Sequence, residues 1–207
     1  MGANMRWFSR LALVASVVAV LVAGFAGSVR ASPSRGAPSI TLGCAHETIG
    51  GPGPPVWARP SKATVAAGAI AWPELRQFAS HLSPARLAPG HGLALAVKAL
   101  AHVDAGAVVR VSIPASERGR LSLYYIQSDP RKESASGELY RVADGETQVT
   151  FRACAPGTII GESGYPGYFI AAGAQCARIN IYTSRSSRPL QRQIPFGVSL
   201  RSCPATV

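Results

Sequence analysis

Four cysteines, four histidines and ten carboxylic acids are the groups in this 207-residue chain with ordinary metal-binding or acid–base chemistry. Their spacing decides what each could support. His46-Glu47 is the first half of a zinc-protease H-E-x-x-H motif, in which two imidazoles one helical turn apart face a single metal. Position 50 is Gly, so the second imidazole is missing. Gly161-Glu162-Ser163-Gly164-Tyr165 has the outline of a nucleophile elbow, but that strained turn needs Gly two places after the Ser, where Tyr165 stands. A flexible Gly/Pro loop accounts for these residues. The histidines His46, His81, His91 and His102, with Asp104, keep one catalytic alternative open: an extracytoplasmic hydrolase assembled from separate loops. Such constellations are defined by geometry rather than chain order. No carboxylate pair sits at an aromatic-rich strand end of the kind that binds sugar for glycoside hydrolysis.

The cysteines point elsewhere. Cys44, Cys154, Cys176 and Cys203 contain no C-x-x-C pair and have no histidine at a zinc-ligand spacing, so neither a metal nor another cofactor is expected. An even number of cysteines in an exported chain reads as two disulfides, with three connectivities possible.

Export itself is read from the N-terminus. Arg6 and Arg10 precede residues 11–27, LALVASVVAVLVAGFAG, a largely apolar run without a charge. Val29 and Ala31 offer small residues at the −3 and −1 positions of a cleavage site, which makes residues 1–31 a signal peptide. The same run approaches the roughly 20 residues that span a bilayer, so an uncleaved helical anchor is the alternative, with the membrane as partner. Either way residues 32–207 lie outside the cytoplasm, secreted or anchored by residues 11–27. Residues 32–38, SPSRGAP, form a tether, and 39–207 a single domain.

The elements that must position these groups are strands. Ser39–Leu42 begins the domain, and 64–72 is a strand of small residues. Leu93, Leu95 and Val97 alternate with Ala94, Ala96 and Lys98; Val109, Val111 and Ile113 alternate with Val108, Arg110 and Ser112. Leu121, Leu123 and Tyr125 form another strand, as do residues 148–153, 168–172 and 177–182. Pro189–Phe196 has two prolines that cannot donate to a ladder and belongs at an edge. Residues 73–82 read as one short helix with Leu75, Phe78 and Leu82 on a face, or as an irregular edge strand. The runs 51–60, 83–92 and 129–137 read as loops. About eight short strands with little helix predict an all-β fold: an antiparallel, Ig-like β-sandwich after an N-terminal apolar helix, with an open β-barrel as the alternative.

Strand parity bears on the cysteines. If Phe151, residues 168–172, Ile179 and Ile194 lie on consecutive antiparallel strands, Cys154 sits at one end of the sheet and Cys176 at the other. Cys203 returns to the Cys176 end. The expected pairs are Cys176–Cys203 and Cys44–Cys154.

Two surfaces are candidates for binding. Glu162, Tyr165 and Tyr168 belong to a long Gly/Pro loop region that could present tyrosines to a partner. Arg185, Arg188 and Arg192 form a loose basic cluster before the last strand. The chain carries a formal charge of +11, with eighteen arginines spread over nearly every segment. A basic exported domain suits an anionic envelope component, a headgroup or wall polymer. Nucleic acid is not an expected partner, since aromatic residues do not intersperse the basic ones.

The pieces FRACAP (Phe151–Pro156), GYFIAAGAQCARINIY (Gly167–Tyr182) and IPFGVSLRSCP (Ile194–Pro204) resemble the C-terminal half of a family of small exported or membrane-anchored proteins common in actinobacteria. That family has no assigned activity, so the resemblance implies an envelope location and no chemistry. The reading is therefore an exported, disulfide-bonded envelope protein that acts as a non-catalytic binding or structural module. The hydrolase above and a lipid or wall-polymer carrier are the alternatives.

Overall fold

The computed structural model describes residues 39–47, 61–88, 90–125, 139–157, 161–184 and 186–204. All belong to one compact unit, Arg35–Val207. The signal or anchor segment (1–31), the tether (32–38) and the loops expected at 51–60 and 129–137 lie outside the described residues.

Alternation becomes structure most directly in the strands with one polar face. β1 (Ser39–Leu42), β6 (Val108–Ser112), β9 (Gln148–Arg152), β12 (Gln175–Thr183) and β13 (Leu190–Phe196) form a five-stranded sheet in the order β1-β9-β6-β12-β13. Val109, Val111, Val149, Phe151, Ile179, Ile181, Ile194 and Phe196 point into the core and are fully buried. Their neighbours in sequence point the other way, because successive strand residues face opposite sides of the sheet. β13 is an edge strand, the place its prolines allow: Pro195 lies opposite Cys176.

The remaining strands make two four-stranded sheets. One has the order β10-β5-β3-β2, from β2 (Val65–Ala67), β3 (Ile70–Trp72), β5 (Ala101–Asp104) and β10 (Glu162–Tyr165). The other has the order β7-β11-β4-β8, from β4 (Ala94–Lys98), β7 (Leu121–Tyr125), β8 (Leu139–Tyr140) and β11 (Gly167–Ala171). They are two halves of one bent ladder. β10 and β11 follow each other in the chain, as do β4 and β5, and the register that pairs Tyr165 with Ala101 also pairs Tyr168 with Lys98. Ala99 N donates to Gly167 O (2.8 Å) across the bend. Pro166 sits at the corner, where a residue without an N–H removes no ladder bond.

All three sheets share one hydrophobic core. Aromatic rings bridge them: Phe169 meets Trp72 edge-on at 5.9 Å and Phe196 at 6.1 Å, and Tyr125 meets Phe151 at 4.9 Å. The result is sandwich-like, and none of the three sheets closes into a barrel.

Several expectations need correction. Thirteen strands are present among the described residues, not about eight. The single strand expected over 64–72 is a hairpin, turned at Gly68 with φ of +58°. Residues 161–165 are not a flexible loop; Glu162–Tyr165 is β10, buried along its whole length. The pairing is not wholly antiparallel, because β1 runs parallel to β9, with Leu42 opposite Phe151. The helix α1 (Leu75–Ser80) forms, but Pro73 precedes its cap Glu74 rather than opening its first turn. Its buried residues are Leu75, Arg76 and Ala79, while Phe78 is half exposed. A second short helix, α2 (Pro84–Leu87), replaces the expected loop: Ser83 Oγ accepts from Arg86 N and Pro84 fills the first turn.

The disulfides are Cys44–Cys154 and Cys176–Cys203. The parallel β1–β9 register brings Cys44 and Cys154 together just beyond the same end of two neighbouring strands. Cys176 opens β12, and β13 returns to that end before Cys203. The strands of Phe151 and of residues 168–172 lie in different sheets, so the consecutive-strand premise behind the pairing does not hold. The two bonds still fall at opposite ends of the five-stranded sheet, and each ties an edge strand to its neighbour.

Candidate functional site

The chemistry-bearing side chains gather where β5 meets β10. Glu162 lies opposite Asp104, and Gly164 opposite His102, so His102, Asp104 and Glu162 share one face of this ladder. His102 Nδ1 is paired with Glu162 Oε1. The ring is flanked in register by Ala71 and Gly164, whose small size leaves it room between the neighbouring strands. Of the four imidazoles, His102 alone faces a carboxylate among the described contacts. His46 folds back on Gly43, His81 Nδ1 lies 2.7 Å from Gln77 O, and His91 is exposed on left-handed backbone.

Ser163 and Tyr165 lie on the opposite face. Ser163 Oγ accepts from Cys154 N (3.0 Å) and donates to Glu47 Oε2 (3.3 Å). Tyr165 Oη donates to Arg152 O (2.8 Å). Burial pushes the Tyr165 phenol above its usual range; Ser163 works against that shift and the nearby Glu47 carboxylate adds to it. A strand one residue thick thus separates the Ser163 hydroxyl from the His102–Glu162 pair. These groups are not aligned for proton transfer from serine to imidazole.

Glu47 Oε2 also lies 2.6 Å from Cys154 Sγ. Cys44, Glu47 and Cys154 present potential ligand atoms within 4.8 Å of one another. Both sulfurs are committed to the disulfide, and a metal binds thiolates, so only the carboxylate could act as a ligand.

Beyond Asp104 the turns at this end of the sandwich enclose a groove of about 500 Å³. Its walls are mainly small residues of the β2–β3 and β5–β6 turns, with Gly161, Thr183 and Ser184. Among the described residues, Asp104 is its one acidic lining group.

The expected binding residues divide. Tyr165 and Tyr168 are core residues, 0% and 2% exposed, and Glu162 is 9% exposed, so they present no tyrosine surface to a partner. The Tyr165 ring packs on Phe151 at 5.2 Å, and the Tyr168 ring on Tyr124 at 6.4 Å. Arg188 is exposed, but Arg192 turns onto β2, donating from Nε to Ala66 O (2.6 Å) and from a terminal nitrogen to Gln191 O (2.7 Å). Its burial lowers the guanidinium pKa. Arg185 lies outside the described residues. Sequence reasoning missed the arginines on the outer face of the five-stranded sheet. Arg110, Arg152 and Arg178 are exposed, and each occupies a polar position of an alternating strand, the signal that would have found them.

No protein-family model, curated protein or solved structure matches this chain.

Proposed function

We propose that the chain is an exported cell-envelope protein whose 39–207 domain serves as a non-catalytic binding or structural module at the outer face of the cytoplasmic membrane or released from it. The observation that supports this is the use of all four cysteines in two disulfides, which persist in an oxidising compartment. The apolar segment 11–27 supplies the export signal or anchor, and the resemblance to actinobacterial envelope proteins belongs to the same reading. The groups around β10 are engaged in holding the fold: Ser163 with Cys154 and Glu47, and Tyr165 with the end of β9.

The test is a fusion of the whole chain, at its C-terminus, to a reporter that becomes active only when its own disulfides form outside the cytoplasm. Thiol blocking of the same cells without reduction should find all four cysteines protected. An inactive reporter together with free thiols overturns the reading. N-terminal sequencing then separates its two forms: a start at Ser32 marks release, and a start at Met1 or Met5 marks an anchored chain.

A further inference from the structure

The outer face of the five-stranded sheet carries exposed arginines on three neighbouring strands. In register, Arg110 on β6 lies opposite Thr150 on β9 and Tyr182 on β12. Arg152 lies opposite Val108, one diagonal step from Arg110. Arg178 lies four residues along β12 from Tyr182, on the same face. The three arginines therefore run diagonally across three adjacent strands, over roughly 20 Å by strand geometry, with Arg152 and Arg110 about 7–8 Å apart and Arg110 and Arg178 about 14 Å apart. The Arg110 guanidinium stacks on the Tyr182 ring at 4.1 Å, which restricts it while leaving N–H donors at its edge. Arg178 has a partial counter-ion in Glu117 at 3.6 Å and is still 44% exposed.

We infer that this face binds a linear polyanion, an extended polymer with repeated phosphate or sulfate charges, which lies along the Arg152–Arg110–Arg178 diagonal. The inference rests on the envelope-binding reading and names its partner class and site. Guanidinium groups suit such oxyanions because their fixed donors can engage two oxygens at once. The interspersed hydroxyls and amides, such as Thr150 and Asn180, can hydrogen-bond polymer atoms between the charges. An anionic membrane fits less well. The face is a sheet surface on which Val108 is the exposed large apolar side chain, so it offers little to insert below the headgroups.

The test uses the exported form, purified with both disulfides intact, and titrates it with linear polyphosphate by fluorescence anisotropy across a salt series. Wild type should bind, and R110Q/R152Q/R178Q should weaken binding at least tenfold with a shallower salt dependence. A control, R86Q/R141Q/R201Q, removes the same charge at exposed positions elsewhere and should lose less than about threefold. Equal losses in both triple variants would mean bulk charge alone and overturn the inference. Binding to vesicles of anionic phospholipid but not to polyphosphate would overturn it in favour of a membrane surface. Absence of polyphosphate binding by a chain that the reporter places outside the cytoplasm overturns the inference and leaves the envelope assignment standing. Y182F should keep the stacking and bind as wild type, whereas Y182A should weaken binding severalfold without loss of fold by circular dichroism.

Discussion

Trp72 Nε1 donates a 2.6 Å hydrogen bond to Tyr125 Oη inside the core, and Tyr125 Oη in turn donates to Ala99 O at 3.1 Å. One strand from each half of the bent ladder, β3 and β7, and its corner at Ala99 thus meet at one phenolic oxygen. Y125F keeps the ring against Phe151 but leaves the indole N–H and the Ala99 carbonyl without this partner. Each buried group left unsatisfied costs about 1–3 kcal/mol. The urea midpoint should fall accordingly, with the m-value unchanged and the tryptophan fluorescence shifted. An unchanged midpoint would show that water satisfies this oxygen's partners.

The same oxygen makes the fold sensitive to alkali. Burial raises the Tyr125 phenol well above its ordinary value near 10, with the bond from Trp72 opposing the shift only in part, and Tyr165 is displaced in the same direction. Below pH 10 both phenols are protonated in the folded and unfolded chains, and their stability contribution is fully present. Above it the unfolded chain releases protons that the folded chain retains, so stability falls. The slope for Tyr125 is about 1.4 kcal/mol per pH unit until its folded pKa is reached. Urea titrations at pH 8, 10 and 11 should show the decline. In absorbance titrations Tyr125 should ionise only as the protein unfolds, and Tyr165 at higher pH than an exposed phenol.

Arg76 is buried in α1 without an acidic partner among the described contacts. Its terminal nitrogens donate to Gln193 O (2.8 Å), Cys203 O (2.6 Å) and, at 3.5 Å, Pro204 O. One guanidinium therefore joins the helix, the last strand and the C-terminal segment, at a desolvation cost that lowers its pKa. R76M removes the buried charge but strands those carbonyls, at about 1–3 kcal/mol for each one that water cannot reach. R76K should rescue little, since one ammonium cannot reproduce the fork. Hydrogen exchange should show faster opening of 194–204 in both variants.

How much of this was legible in sequence depends on what each feature needs. β6, β9 and β12 announced themselves by alternation, because one face of each is buried and the other wet. β10 did not. Its ESGY composition has little strand propensity, and it is a strand because β5 pairs with it, a contact about sixty residues away. The parallel β1–β9 pair is still less local, since nothing near Ile40 specifies Val149 as its neighbour. α2 was written in the sequence as a Ser cap followed by Pro. At the site, His102 was named, but its partner Glu162 depended on the unseen β10. The three outward arginines were visible as alternating polar residues, but their diagonal needed the register.

The two disulfides should differ in what they contribute. Cys44–Cys154 closes a separation of 110 residues and Cys176–Cys203 one of 27. By chain entropy these correspond to about 4.8 and about 3.6 kcal/mol, so the longer loop should matter more by about 1.2 kcal/mol. Their places in the sheet point the same way. β1 has four residues and is held in the sheet by the parallel β9, so loss of Cys44–Cys154 leaves a short edge strand to hold itself. β13 has seven residues, the long β12 ladder and the Arg76 bonds. C44S/C154S should therefore lose more stability than C176S/C203S, and its protection from hydrogen exchange should fall first over 39–42. Equal losses in urea, with β1 as protected as in wild type, would show that edge pairing rather than the covalent link holds this strand.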